Sequence, residues 1–151
     1  MAKPASAPRR SARAFLKQVA DELPSHLPPR LRDFSSEQWG RFYKVWYGDE
    51  KKIHFEVQFI PGGRLEIGLH LESDPDTNER IAFALERKEP AIRRALGEEA
   101  KFGSHGRGWR SVSERWSGGD LRNEEAATEA AARLAEYVVA VGPLLSSRDL
   151  R

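Results

Sequence analysis

Two segments near the middle of the chain alternate regularly between apolar and polar residues. The segments IHFEVQF and RLEIGLHLE flank the turn sequence PGG, and this pattern predicts a β-hairpin. A three-residue loop pairs Ile60 with Arg64, and this first pair fixes every later cross-strand pair. The apolar residues then share the face toward the core, and they are Ile53, Phe55, Val57, Phe59, Leu65, Ile67, Leu69 and Leu71.

Three further regions have apolar residues at helical spacing. Residues 11–24 predict a first helix, capped by a serine and ended by Pro24. Residues 74–97 predict a second helical region that begins with an Asp-Pro cap, and Pro90 should split it because proline lacks a backbone N–H. Residues 123–142 predict the last helix, with an asparagine cap and two glutamates in its first turn.

Two more regions favour strands. Residues 38–47 fit either an aromatic helical stripe or a strand, and we prefer the strand because Gly40 disfavours a helix and a Gly-Asp turn follows. Residues 109–116 predict another strand, with a short one before it near residues 100–102. This order predicts an α+β fold, in which an antiparallel β-meander sheet has helices packed on one face in a two-layer sandwich.

The chain of 151 residues suits one domain with a buried core. Residues 1–10 are mostly Pro, Ala, Ser and Arg and offer little to bury, so we expect a disordered basic tail there. The single α+β domain then occupies residues 11–146, and residues 147–151 form a frayed C-terminus.

The excess of basic charge lies at the N-terminus. Four of the 25 basic residues fall within residues 1–13, which contain no acid, and the remaining 138 residues carry 21 basic and 23 acidic side chains. The charge of the domain itself therefore does not predict a nucleic-acid surface. A tail with Arg9, Arg10 and Arg13 predicts at most weak, salt-sensitive binding.

Several classes of site are excluded by what the sequence lacks. It has no cysteine, which rules out disulfides and thiolate chemistry and favours a cytoplasmic protein. It also lacks the common nucleotide-binding, serine-hydrolase and zinc-protease motifs, which favours a non-catalytic protein. No segment has the apolar length of a membrane span or signal-peptide core, so we expect neither membrane insertion nor export by a signal.

The polar face of the hairpin carries the most specific group of residues. The predicted register sets His54 opposite His70, with Glu56 and Glu72 nearby. Directly opposed Cβ atoms lie about 4.5–5.5 Å apart, so both imidazoles could reach one divalent metal ion with a carboxylate as the third ligand. The simpler interpretation is a solvated sheet face with a Lys52–Glu72 pair, because alternation alone places polar residues there.

A second candidate site lies in the glycine-containing loop FGSHGRGWR, residues 102–110. Its backbone amides, with Arg107 or Arg110, could clamp a phosphate, or Trp109 could stack on a base. The alternative is a polar loop that leads into a strand, since base-stacking surfaces usually carry several aromatic residues and a basic groove.

The pattern HFEV, then LEIGLHLE, then a helix and a strand between Trp109 and Trp116, resembles an uncharacterised bacterial domain family of unknown function. The resemblance covers residues 53–145. It implies the same helix-covered sheet and no particular activity. The residues that match its pattern are Glu56, Glu66, His70 and Glu72.

Three hypotheses of function follow. The first is a small non-catalytic accessory or protein-interaction domain that binds through the aromatic strand or the polar sheet face, with a protein partner or a second copy favoured over nucleic acid. The second is a metal-binding domain or metal-dependent enzyme that uses the His/Glu group of the hairpin. The third is a weak nucleic-acid binder. No cofactor is expected apart from the divalent metal of the second hypothesis.

Overall fold

A computed structural model describes residues 10–146 and residue 149. The predicted basic tail therefore lies outside the described residues except for Arg10, whose guanidinium donates to the carbonyl oxygen of Ala14. The predicted frayed C-terminus lies outside them except for Asp149, which forms a 2.6 Å ion pair with Arg80. Within this part of the chain, no helix has the combined length and apolar character needed to cross a membrane.

The described residues form four α-helices and six strands. The helices are α1 (Ala12–His26), α2 (Pro75–Glu86), α3 (Glu89–Leu96) and α4 (Glu124–Val141). The strands are β1 (Ser35–Trp39), β2 (Phe42–Trp46), β3 (Ile53–Ile60), β4 (Arg64–Leu71), β5 (Lys101–Ser104) and β6 (Arg110–Trp116).

The strands form one antiparallel sheet in the order β1-β2-β3-β4-β6-β5. The predicted α+β fold is confirmed, and the predicted meander holds for the first four strands. It fails beyond β4, because β6 pairs with β4 and leaves β5 at the edge of the sheet. The chain between β4 and β5 forms α2 and α3, so no tight turn forces β5 to pair with β4.

Proline and glycine set three element boundaries. Pro90 separates α2 from α3, as predicted, and lies in the first turn of α3. The predicted end of the first helix at Pro24 is wrong, because α1 continues to His26 while Leu23 and Leu27 are buried on either side of that proline. Residues 38–47 form strand rather than helix, as predicted. They belong to two strands, β1 and β2, because a turn at Gly40 separates them.

The helices cover one face of the sheet, and the apolar core lies between the two layers. α1 and α4 pack against each other, and α4 also contacts β3 and β4. The core face of the hairpin is buried as predicted, together with apolar residues of α1 and α4 that include Phe15, Leu16, Val19, Leu134, Val138 and Val141.

One carboxylate is buried on the helix-covered face of β6. Glu114 accepts hydrogen bonds from Arg133 Nε at 2.8 Å, Tyr137 Oη at 2.9 Å and Trp116 Nε1 at 2.6 Å. Arg133 also donates to the carbonyl oxygen of Leu96, at the end of α3. We call these four side chains the Glu114 clamp (Glu114, Trp116, Arg133, Tyr137). It satisfies a buried charge with three donors and joins β6, α3 and α4.

The opposite face of the sheet depends on a close approach at Gly68. This residue pairs with Glu56 on β3 and with Ser113 on β6. A Cβ atom at position 68 would lie 2.2 Å from the carbonyl oxygen of Val112 and 2.6 Å from Ser113 Cα, and both are backbone atoms that cannot move alone. Glycine at position 68 therefore permits the close approach of β6 to β4.

We predict that Gly68→Ala lowers the free energy of unfolding by more than about 2 kcal/mol, because the added methyl group overlaps backbone. Urea denaturation of the variant and the parent protein measures the change. Gly106→Ala is the matched control, since a Cβ there meets nothing within 4 Å, and we expect it to stay within about 0.5 kcal/mol of the parent. Equal stability of the two variants would contradict the close approach.

Candidate functional site

The hairpin has the register that its loop predicts. His54 pairs with His70, Glu56 with Gly68, and Gln58 with Glu66. The turn is formed by two glycines with positive φ, Gly62 at 87° and Gly63 at 69°, a conformation that other residues rarely adopt. The two histidines and their neighbouring carboxylates are thus brought to one face of the two central strands.

This face is buried at its centre, so the expectation of a solvated sheet face is wrong. Four charged or titratable side chains expose 6% of their surface or less, and they are His54, Glu56, Glu66 and His70. Strands β3 and β4 each have neighbours on both sides, and the side chains of β2 and β6 shield them laterally. Buried charges of this kind require partners, which here are one another.

Glu56 is the centre of the group. Its Oε1 lies 3.2 Å from His54 Nε2 and 3.3 Å from His70 Nε2. The two imidazole rings are nearly parallel, with centroids 5.9 Å apart and an angle of 8° between their planes. One carboxylate oxygen therefore faces a nitrogen of each ring. We call His54, Glu56, Glu66, His70 and Glu72 the His/Glu cluster.

The ring of His54 is oriented by the backbone. Its Nδ1 lies 3.0 Å from the carbonyl oxygen of Lys51. Because a carbonyl only accepts, Nδ1 carries the hydrogen, so Nε2 donates to Glu56 Oε1 in the protonated ring and offers a lone pair in the neutral one. This arrangement, in which a backbone carbonyl fixes the tautomer, is common in histidines that bind metal ions.

His70 has a buried nitrogen without an aligned hydrogen bond. Its Nε2 lies 2.8 Å from Glu66 Oε1 and 3.3 Å from Glu56 Oε1, within hydrogen-bonding distance. Neither oxygen lies in a direction that forms a hydrogen bond with this nitrogen. Two carboxylates thus lie close to an unsatisfied ring nitrogen, an arrangement that requires positive charge among them.

Glu72 closes the cluster on its open side. Its backbone N–H donates to the carbonyl oxygen of Lys52, so these residues are opposed as predicted. Its carboxylate lies against the imidazoles, with Oε1 3.9 Å from His54 Nε2 and Oε2 3.7 Å from His70 Nδ1. His54, Glu56 and Glu72 each offer one ligand atom, and these three atoms all lie within 4.8 Å of one another.

The cluster shifts the pKa values of its members in opposite directions. Burial raises the pKa of Glu66, but the adjacent His70 and hydrogen bonds from Gln58 and Arg115 outweigh it and lower the pKa to about 2. Burial lowers the pKa of His70, but the adjacent carboxylates, Glu66 first, raise it above its ordinary value of 6.5. Glu56 is likewise held below its ordinary pKa, because His54 and His70 outweigh its burial.

A cavity of about 460 Å³ opens beside the cluster. Its wall includes Glu56, Glu66, His70 and Glu72 from the cluster, and also Phe42, Lys44, Gln58, Ile60, His105, Trp109 and Arg115. The volume lies in the range of small-molecule sites. The cavity is therefore both charged and partly apolar.

Sequence reasoning did not include His105 in this site. Its ring stacks on His70, with centroids 6.4 Å apart, and its Nε2 lies 2.8 Å from Ser111 Oγ. His105 follows β5, and only the pairing of β5 with β6 places it here. No local pattern in the sequence indicates that pairing.

The residues of the loop predicted to contact a ligand lie on two different sides of the sheet. Trp109 lines the cavity, and the guanidinium of Arg107 lies 5.5 Å from its ring centroid. Arg110 pairs with Leu71, so it belongs to the helix-covered face of the sheet and not to the cavity. The three residues therefore do not line one cavity, and ligand contact by Arg107 or Trp109 stays a prediction.

No protein-family model, curated protein or solved structure matches this chain. The resemblance to an uncharacterised bacterial domain family stays a prediction.

We predict that the metal-free domain is most stable between about pH 4.5 and 6.5. Glu66 has a folded pKa of about 2, below its ordinary 4.5, so its contribution is present above pH 4.5 and is lost as the pH falls toward 2. His70 has a raised pKa, so its contribution is complete below pH 6.5 and is lost as the pH rises through the folded value. Urea denaturation in EDTA from about pH 2 to about pH 9 measures the loss of stability on the acidic limb and on the basic limb.

Glu66→Gln should flatten the acidic limb, because the variant has no carboxylate to protonate at this position. The control is Glu79→Gln, an exposed glutamate on α2, which should leave the acidic limb unchanged. A Glu66→Gln variant with the full acidic limb would show that the loss of stability comes from other carboxylates.

Proposed function

We propose that this protein is a divalent-metal-binding domain, with the metal ion held by His54, Glu56 and Glu72 and with His70 as the adjacent fourth donor. The observation that carries the proposal is the position of Glu56 Oε1, 3.2 Å and 3.3 Å from two imidazole nitrogens. Two ligands that each lie 2.0–2.1 Å from a tetrahedral zinc ion are separated by about 3.3 Å. The donor atoms thus have the spacing of neighbouring ligands around one ion.

The chemistry of the donors supports the same proposal. Nitrogen and carboxylate ligands suit zinc and the neighbouring first-row metals, and the sequence offers no thiolate. Because Nδ1 of His54 donates to a backbone carbonyl, Nε2 is the nitrogen that faces the carboxylates and would bind the ion once its proton is lost. The partly exposed Glu72 provides the side from which an ion would enter.

A proton is the alternative source of positive charge in the cluster. A protonated His70 would neutralise one of the carboxylates near it, as the raised pKa of this residue allows. The two alternatives differ in an observable way, because only a metal site gives saturable binding of an added ion.

We predict that zinc binds the EDTA-treated, dialysed protein with a stoichiometry of one and stabilises it. At a free concentration 100 times Kd, the stabilisation is about 2.7 kcal/mol, which for a chain of this size raises Tm by about 5–10 °C. Isothermal titration calorimetry and thermal denaturation measure the two quantities.

Glu72→Gln and His54→Ala should each weaken binding, and the first is the more useful because Glu72 is less buried and its loss threatens folding less. His26→Ala is the matched control, since His26 is exposed on α1 and away from the sheet face. The absence of both heat and a Tm shift with zinc, nickel and manganese would leave the cluster as a proton-sharing group and overturn the proposal.

A protein-interaction role is the second candidate, and the exposure of Trp39 favours it. This side chain is 72% exposed on the edge strand β1, where it contacts the ring of Phe42 at 6.1 Å. Exposed tryptophans at unpaired sheet edges are frequent anchors of interfaces.

We predict that if the protein self-associates through this edge, Trp39→Ser reduces the dimer fraction in analytical ultracentrifugation. Phe83→Ser is the matched control, because Phe83 is 62% exposed on α2, far from β1 in the fold. A protein that stays monomeric at about 100 µM, well above the micromolar affinity typical of weak complexes, would exclude a stable dimer through β1.

A further inference from the structure

Two basic side chains flank the His/Glu cluster on the outer strands of the cavity. Lys44 on β2 pairs in register with Glu56, and Arg115 on β6 pairs with Glu66. Across the four strands, two carboxylates on β3 and β4 therefore lie between a cation on β2 and a cation on β6. Arg115 Nε lies 3.4 Å from Glu66 Oε2, and Lys44 Nζ lies 4.4 Å from the centroid of the Phe42 ring.

The formal charge of the cavity becomes positive when a metal ion binds. Its wall contains two cations, Lys44 and Arg115, and three carboxylates, Glu56, Glu66 and Glu72. This wall carries a net charge of −1 with neutral histidines and 0 with His70 protonated, and a divalent ion bound to neutral histidines makes it +1. An anion is thus less favoured in the metal-free cavity than in the loaded one.

The rest of the wall is apolar or amphipathic. Phe42, Ile60 and Trp109 line the cavity beside the charged groups. A ligand that fits the whole cavity therefore has an anionic end toward the metal ion and an apolar, flat body toward the aromatic wall.

We propose that the metal-loaded cavity binds a small organic oxyanion, whose carboxylate or phosphate group contacts the metal ion between Lys44 and Arg115 and whose apolar part lies against Phe42, Ile60 and Trp109. This inference rests on the proposed metal-binding function. The site is complete only with the ion, so anion binding depends on metal binding.

Cobalt(II) tests both steps separately, because its visible absorption reports the ligands in its coordination shell. Titration of the protein with cobalt should give a visible absorption that saturates. If no such absorption develops, the metal-binding function itself is overturned. Titration with benzoate and with phenyl phosphate should then change the spectrum. The ligand with the higher affinity identifies the preferred anionic group as a carboxylate or a phosphate. Acetate and inorganic phosphate, which lack the apolar part, should each bind at least ten times more weakly than their aromatic counterparts.

The variants Lys44→Ala and Arg115→Ala should each weaken anion binding about tenfold or more and leave cobalt affinity unchanged within twofold. Lys101→Ala is the matched control, because Lys101 belongs to the same sheet face but does not line the cavity, and it should retain anion affinity within twofold. A cobalt spectrum that no anion alters would overturn the inference while the metal site stands. Equal losses in all three variants would also overturn it, since they would indicate diffuse attraction by the protein's charge.

Discussion

The register of one hairpin determines the organisation of the whole domain. A two-glycine turn joins β3 to β4, and the pairing that starts at Ile60 and Arg64 continues without a bulge to Ile53 and Leu71. Side chains alternate between faces along a strand, so this register simultaneously assigns eight apolar residues to the core and the His/Glu cluster to the opposite face. A shift of one residue would exchange the two faces. The core and the candidate site are thus consequences of the same backbone pairing.

Buried carboxylates are stabilised differently on the two faces of the sheet. On the helix-covered face, Glu114 has three donors from residues that are fixed by packing, and its charge is satisfied within the protein. On the other face, Glu56 and Glu66 both lie close to the imidazole of His70. The Nε2 atom of this ring has no aligned hydrogen-bond partner. The first arrangement is that of a structural carboxylate, and the second leaves a buried ring nitrogen without an aligned hydrogen bond, which is the basis of the proposed metal site.

The parts of the structure that depend on local patterns could be predicted from the sequence. The hairpin register, the capped helices and the break at Pro90 each follow from neighbouring residues, and they are as expected. The non-local features could not be predicted. The pairing of β6 with β4 brings Arg115 and, through β5, His105 to the cluster, and it also shields the face that alternation alone suggested would be solvated.

The Glu114 clamp has a mechanical consequence for the cavity. Glu114 and Arg115 are adjacent on β6 and project to opposite faces, so the strand that lines the cavity is anchored from behind by α3 and α4. The backbone at Arg115 is therefore held still, and this wall can adjust only by rotation of the half-exposed arginine side chain. The wall of the cavity on the side of β6 thus combines a backbone fixed by the helices behind it with one side chain that can change its conformation.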